Sequence, residues 1–191
     1  MRPEPVLPTS IHPTAIVEDG ASIGPGTRVW HRAHVRRDAR IGTDCTIGFS
    51  VFVDAGAMIG DRCKVQNHVS IYRGVTLEDD VFVGPSAVFT NDRYPRADST
   101  DWTVVPTTIR RGASIGANAT IICGVDVGQW AMIGAGSVVT RDVPAHALVV
   151  GSPARVVAWV CRCGRPLAGV GEPAPERCPA CGRPSLEVVP T

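Results

Sequence analysis

Aromatic residues are scarce in this chain, only 5% of its 191 positions, and there is almost no excess of charge. The 19 Lys and Arg against 18 Asp and Glu leave a formal net charge of +1. That balance gives no electrostatic footprint for nucleic acid or an anionic membrane surface. No apolar run approaches the ~18 residues from which a membrane-spanning helix is recognised. The opening MRPEPVLPTS also lacks the basic-then-apolar order of a secretion signal. A cytoplasmic protein with neither nucleic-acid nor membrane partners is expected. What the chain has in quantity is Gly, 20 residues, and Pro, 16 residues. Those residues suit a backbone that turns tightly and often.

A six-residue period explains the turning. In steps of six from Ile11 come Val17, Ile23, Val29, Val35 and Ile41, and the series continues to Phe89. It resumes at Ile109 and passes through Ile115, Ile121, Val127, Ile133 and Val139. Four residues after each of these, Phe89 excepted, stands a small or β-branched residue such as Ala15, Thr27, Cys45, Val69 or Ala119. The period matches neither an amphipathic helix nor two-residue strand alternation. It matches a short strand and a bend, three of which close a triangular coil of 18 residues. Coils of this kind stack about 4.8 Å apart, and each inward aliphatic contributes roughly 1.5–3 kcal/mol when fully buried. No coil can bury its own faces, so stability comes from stacking. Sandwiches and propellers show turn signals every ~8–12 residues or blades of ~40, which this sequence does not. The expected fold class is all-β, a triangular parallel β-solenoid over 11–156 behind an extension over 1–10.

Three departures from the repeat stand out. Between Phe89 and Ile109 the sequence TNDRYPRADSTDWTVVPTT is polar and rich in Asp, Pro and Arg. A protruding loop is expected over 90–108, and long loops in compact folds usually carry function. After Val139 the repeat gives way to TRDVPAHALVVGSPARVVAWV. A short helix over Val156 to Val160 is expected to cover the last coil, which otherwise presents unpaired edges. Within the appendage 157–191, Cys161-Arg-Cys163-Gly and Cys178-Pro-Ala-Cys181-Gly bring two close thiol pairs. They match a four-cysteine tetrahedral zinc ribbon, although C-x-x-C is commoner than the first pair's C-x-C. A ribbon with so little core would need the metal to fold; two disulfides are the alternative. Cys45 and Cys63 fall on small packing positions of the repeat.

The 18-residue coil also lets stacked neighbours be read off directly. His31, Phe49, Asn67 and Pro85 form one column, and Arg32, Ser50, His68 and Ser86 the next. Arg37, Ala55, Arg73 and Asn91 form another, so polar groups gather near the coil that enters the loop.

The repeat and the tail, with Pro144, Gly151, Pro153, Ala154 and Arg155, resemble the hexapeptide-repeat acyltransferase superfamily. That resemblance implies a left-handed parallel β-helix, opposite to the usual crossover hand. It also implies acetyl-CoA as cosubstrate and a homotrimer in which the loop reaches the next subunit, with active sites between subunits. WHRAH (30–34), VQNHVSIYRGVTLEDDVFVGPSAVFTN (65–91), IRRGASIGANATIICGV (109–125) and GAGSVVTRDVPAHALVVGSPAR (134–155) resemble one branch. Its members are the UDP-2-acetamido-3-amino-2,3-dideoxy-glucuronate N-acetyltransferases of bacterial surface-polysaccharide (lipopolysaccharide) biosynthesis.

The branch implies roles for particular residues. Asn91 occupies the place at the loop's start where many superfamily members have a catalytic His. Asn cannot take a proton at neutral pH, so Asn91 would orient the sugar amine while the departing CoA sulfur accepts the proton. Backbone N–H groups would stabilise the thioester oxyanion. His68 is the alternative base. Gln66 and Asn67 match substrate positions, and His34, Arg73, Arg93 and Arg96 could meet the diphosphate and carboxylate of a UDP-amino-sugar. Arg73 stands where related proteins often have an acidic residue, which leaves the sugar open. For CoA the resemblance points to Ala117, Gly134 and Ala135 beside the pantetheine and to Arg141 and Arg155 at the phosphates. Other amino sugar-nucleotides, a hydroxyl acceptor, a γ-class carbonic anhydrase activity and a non-catalytic solenoid subunit are the competing readings.

Overall fold

The structure, a computed structural model, describes residues 8–185. Most of the expected N-terminal extension, residues 1–7, and the last six residues of the appendage lie outside the described residues. Strands are numbered in chain order from β1 (Ser10–Ile11) to β23 (Pro166–Gly169), and most are two residues long. They are that short because a bend interrupts the chain in every six-residue unit. The strands fall into three parallel faces of the solenoid. Neighbouring coils pair 18 residues apart: Lys64 lies between Thr46 and Phe82 on the first face, and Ser70 between Phe52 and Val88 on the second. On the third face Val75 pairs with Thr107, 32 residues away. The residues beyond one 18-residue coil form the expected loop.

Between the faces the inward aliphatics make one continuous core. Val35, Ile47, Val65, Ile71, Val83, Ile109, Ile115 and Ile121 are completely buried, as are the small residues Ala33, Ala57, Cys63 and Ala119. Only the first coil departs from this, with Ile11 45% exposed at the solenoid's end.

Each coil has three corners. The first corner joins the first face to the second, the second corner joins the second to the third, and the third corner returns to the first. Turning there places non-glycine residues at positive φ, among them His68 (61°), Asp80 (60°) and Ser86 (58°). Side-chain oxygens brace the corners across coils. Asp61 Oδ1 accepts from the Thr43 amide at 2.8 Å, and Asp79 Oδ1 from the Asp61 amide at 2.9 Å. The third corner carries a charge ladder in which Arg62 and Arg111 meet Asp80 at 2.7 and 3.0 Å. The Arg62 guanidinium, with Arg111 in support, lowers the Asp80 carboxyl from its ordinary value.

One expectation is corrected. Val156 to Val160 do not form a helix; they lie in the strand β22, Ala154–Val160. This strand runs antiparallel to β21 (Ala147–Gly151) and to β23. Val156, Val157 and Val160 are β-branched and suit a pleated surface, and the edge of β21 offers hydrogen bonds that a helix would leave open. The first face therefore grows to ten strands. The described residues contain no helix at all, and so none long and apolar enough to cross a membrane.

Close stacking makes a direct prediction. A Cβ on Gly84 would lie 2.6 Å from the Ala117 amide nitrogen of the next coil, whereas one on Gly56 would meet nothing within 4 Å. Gly84→Ala should therefore cost about 1–3 kcal/mol, the range for overpacking. Gly56→Asn, at a positive-φ position that Asn tolerates, should cost less than ~1 kcal/mol. Urea denaturation of both variants checks the order.

Candidate active site

The loop leaves the solenoid at the second corner, and its neck is tied on both sides. Thr90 Oγ1 accepts from the Cys123 amide at 2.9 Å, and the Val105 amide donates to Asn91 O at 3.0 Å. Val104 and Val105 pack against Gly74 and Gly124, in the coils below and above. The tip is held only by short turns, such as Tyr94 N donating to Asp92 Oδ1 at 2.9 Å. Between neck and tip lies an open cleft of about 500 Å³ lined by Asn91, Asp92, Pro95, Arg96, Ser99 and Trp102. Asn91 is half-buried at its root, and Trp102 is 52% exposed at its rim.

A second groove, of about 370 Å³, opens at the first corner between Trp30, Phe49, Gln66 and Asn67. Asn67 also has structural work here, because its Oδ1 accepts from the Phe49 amide at 2.9 Å. His68, exposed, sits edge-on to Phe49 with ring centroids 5.1 Å apart. Ala117, Gly134 and Ala135 continue the same corner in the coils above. Gly134 already donates its amide to Val149 O at 2.8 Å, and Ala117 O accepts from Gly136 N at 2.8 Å. A third hollow, of about 100 Å³, brings Arg141 and Arg155 together at the last coil.

Most of the expected site residues thus divide between two corners of one chain, while His34 lies on the second face and Arg155 in β22. Gln66, Asn67, His68, Ala117, Gly134 and Ala135 belong to the first corner; Arg73, Asn91, Arg93, Arg96 and Arg141 to the second. The second face lies between the two sets. Arg73 is exposed, and its amide donates to Asp54 Oδ2 at 3.2 Å. Two expected substrate contacts are engaged within the solenoid. Arg93 Nη2 donates to Cys123 O at 3.3 Å, and the His34 ring meets Glu18 Oε1 at 2.9 Å. Trp30, Asp92 and Trp102 line the clefts without having been singled out from sequence. Exposed tryptophans in so aromatic-poor a chain were the available signal.

Glu18 gathers several partners at this corner, His34 among them. The Arg37 amide, then the His34 ring and the Arg36 charge, lower its carboxyl to about 2 from 4.5. A depressed folded value means that this stabilisation is complete above pH 4.5 and is lost as pH falls through about 2. An NMR titration of the Glu18 carboxyl should find the low midpoint. One near 4.5 would mean that the Arg37 amide, the His34 ring and Arg36 do not hold the carboxylate together.

At the far end, the thiols of Cys161, Cys163, Cys178 and Cys181 converge, with their sulfur atoms all within 4.8 Å of one another.

The neck predicts how the loop responds to change. Arg93→Ala should raise amide hydrogen exchange across 91–105, because it removes a tie between loop and coil. Arg96→Ala, whose Nη1 donates only within the loop to Pro95 O at 2.9 Å, should leave exchange at the neck unchanged. Exchange mass spectrometry separates the two.

Comparison with known proteins agrees with this architecture. The bacterial transferase hexapeptide (six repeats) family matches residues 20–55 and 106–141, and the hexapeptide repeat of succinyl-transferase matches 39–73. The dTDP-3-amino-3,6-dideoxy-alpha-D-galactopyranose 3-N-acetyltransferase of Aneurinibacillus thermoaerophilus is 43% identical over 168 residues, which are 88% of this chain and 87% of that protein. A serine acetyltransferase of Buchnera aphidicola is 39% identical over 116 residues, 60% of this chain but only 36% of that protein. The acetyltransferase domain of PglB from Neisseria gonorrhoeae FA1090, solved in complex with acetyl coenzyme A, superposes with a TM-score of 0.56 at 26% identity. That match covers 80% of this chain and 58% of the solved one. The repeat, the three-faced solenoid and this similarity along most of the chain together show that the protein belongs to the hexapeptide-repeat acyltransferases, enzymes of acyl transfer.

Proposed function

We propose that the protein transfers the acetyl group of acetyl-CoA to the 3-amino group of a nucleotide-linked sugar. The acceptor in this reading is a UDP-linked 2-acetamido-3-amino-2,3-dideoxy-glucuronate used in surface-polysaccharide synthesis in the cytoplasm. The observation that carries it is Asn91 at the root of an open cleft lined by both polar and apolar side chains, in a chain 43% identical to a sugar 3-N-acetyltransferase. The reaction joins the amine nitrogen to the thioester carbonyl carbon and breaks the carbon–sulfur bond. The proton lost by nitrogen leaves on the CoA sulfur. Asn91 offers a side-chain carbonyl that accepts an amine N–H and aims the lone pair, and it takes no proton. Arg96, with Arg73 beside the loop's root, supplies guanidinium forks for diphosphate and carboxylate.

The division of the site between two corners belongs to the same reading. With left-handed coils assembled as a homotrimer, the second corner of one copy faces the first corner of the next. Asn91 and the loop cleft then complete a groove with Gln66, His68, Ala117 and Ala135 of a neighbour. Arg141 and Arg155 take the CoA phosphates at its end. His68 is the other available proton acceptor in that groove.

One finding favours a second acceptor. The 43% identical relative is named for a dTDP-linked 3-amino-3,6-dideoxy sugar, whose C6 carries no carboxylate. Acetyl transfer should be measured with UDP-linked 3-amino sugars, with and without the carboxylate, and with the dTDP-linked dideoxy sugar. A kcat/KM at least tenfold higher for the carboxylate-bearing acceptor supports the first reading; preference for the dTDP sugar replaces it with the second.

The roles of the two candidate catalytic residues separate cleanly. Asn91→Ala should lower kcat/KM about 10²–10³-fold, as loss of a positioning hydrogen bond in a transition state does. His68→Ala should lower it less than tenfold and leave the shape of the pH profile unchanged. A thousandfold loss at His68, within reach of removing a general base, together with little effect at Asn91, would reverse the assignment.

A further inference from the structure

The four thiols beyond β22 are arranged for a purpose that acetyl transfer does not use. Cys161 Sγ lies 3.6 Å from Cys181 Sγ, and Cys163 Sγ lies 3.8 Å from Cys178 Sγ. A tetrahedral zinc ion with Zn–S bonds of about 2.3 Å requires sulfur–sulfur edges of about 3.8 Å. A disulfide requires about 2.05 Å. Both close approaches also join one cysteine pair to the other, as the edges of a single tetrahedron do.

The backbone forms a similar turn at each pair, one residue longer at the second. The Cys161 amide donates to Arg165 O at 2.9 Å and Gly164 N to Cys161 O at 2.8 Å. In the other pair the Cys178 amide donates to Arg183 O and Gly182 N to Cys178 O, both at 2.8 Å. Gly164 and Gly182, each directly after the second cysteine of its pair, take φ of 83° and 71°. Two similar turns therefore present two thiols each toward a common centre. Apart from the thiols, the described residues beyond Val160 bury just one apolar side chain, Ala168. Hydrophobic burial this small does not hold a ribbon together.

We propose that Cys161, Cys163, Cys178 and Cys181 bind one zinc ion, and that the ion clamps the cap strand β22 against the last coil. On binding, the thiols release their protons to solvent and no electron moves. The clamp follows from where the ligands sit. Cys161 directly follows Val160, the last residue of β22. Val160 donates its amide to His146 O at 2.8 Å, and its carbonyl lies 3.0 Å from His146 Nδ1. The Arg162 guanidinium lies over the Trp130 ring at 5.4 Å, and Gly164 approaches Met132. Metal at one end of β22 thereby fixes Arg155 at the other, beside Arg141. The consequence for CoA rests on the function proposed above; the metal site does not.

The test is metal analysis of the full chain purified without chelator. About one zinc per chain is expected, falling below about one-fifth in Cys181→Ser and in Cys163→Ser, with Cys123→Ala unaffected. Cobalt exchanged into the site should show thiolate-to-metal charge transfer and the intense visible bands of a tetrahedral centre. Chelator-stripped wild type, which involves no variant that could misfold, should exchange amide hydrogens over 154–169 at least tenfold faster, with 109–139 unchanged. A metal-free chain, two disulfides by mass, or red iron-loaded protein would overturn the zinc assignment. Unchanged exchange after stripping would overturn the clamp.

Discussion

The solenoid depends on one constraint, that successive coils have the same length, 18 residues, and hydrogen-bond in register. Equal coils set an aliphatic side chain above an aliphatic side chain in the interior. They also place a corner amide within reach of the side-chain oxygen 18 residues later, as at Thr43 with Asp61 and Phe49 with Asn67. The single long departure from that length, at the second corner, is where the chain gains a cleft. Stability comes where the register is kept, and the loop cleft opens where it is broken.

The repeat made the fold legible from sequence, because Ile, Val and Ala positions are dictated by an interior with no room for alternatives. The columns at the first corner were legible for the same reason: Ser50 donates to His31 O, His68 to Phe49 O and Ser86 to Asn67 O, as coil arithmetic requires. The cap was not legible. Val156 to Val160 are too few for periodicity to distinguish helix from strand, and the open edge of β21 decided the matter. Polar side chains were harder still, since type alone does not say whether an arginine faces a substrate or a neighbour. Arg93 reaches Cys123 O, and His34 reaches Glu18. The latter pair could have been anticipated from the coil length, for Glu18 lies almost one turn before His34.

The three corners have taken different work. The third is closed by its own charges, with Arg110 between Glu78 and Asp126 and Asp80 between Arg62 and Arg111. The first offers an aromatic-flanked groove, and the second offers the loop. In the function proposed above, neither corner alone supplies all the groups for acyl transfer. In the proposed homotrimer the two corners complement each other between neighbouring copies, and the regular register of the solenoid sets their relative heights.

Subunit mixing tests that claim most directly. Chains carrying Asn91→Ala keep an intact first corner, and chains carrying Ala135→Trp, which sets a bulky side chain on that corner, keep an intact loop cleft. Each alone should be nearly inactive. Co-expressed in equal amounts, they should recover about one-quarter of wild-type activity, because random assembly into a closed ring of copies restores both halves at that fraction of interfaces. Mixtures as inactive as their parents would place the whole site within a single chain and contradict the account.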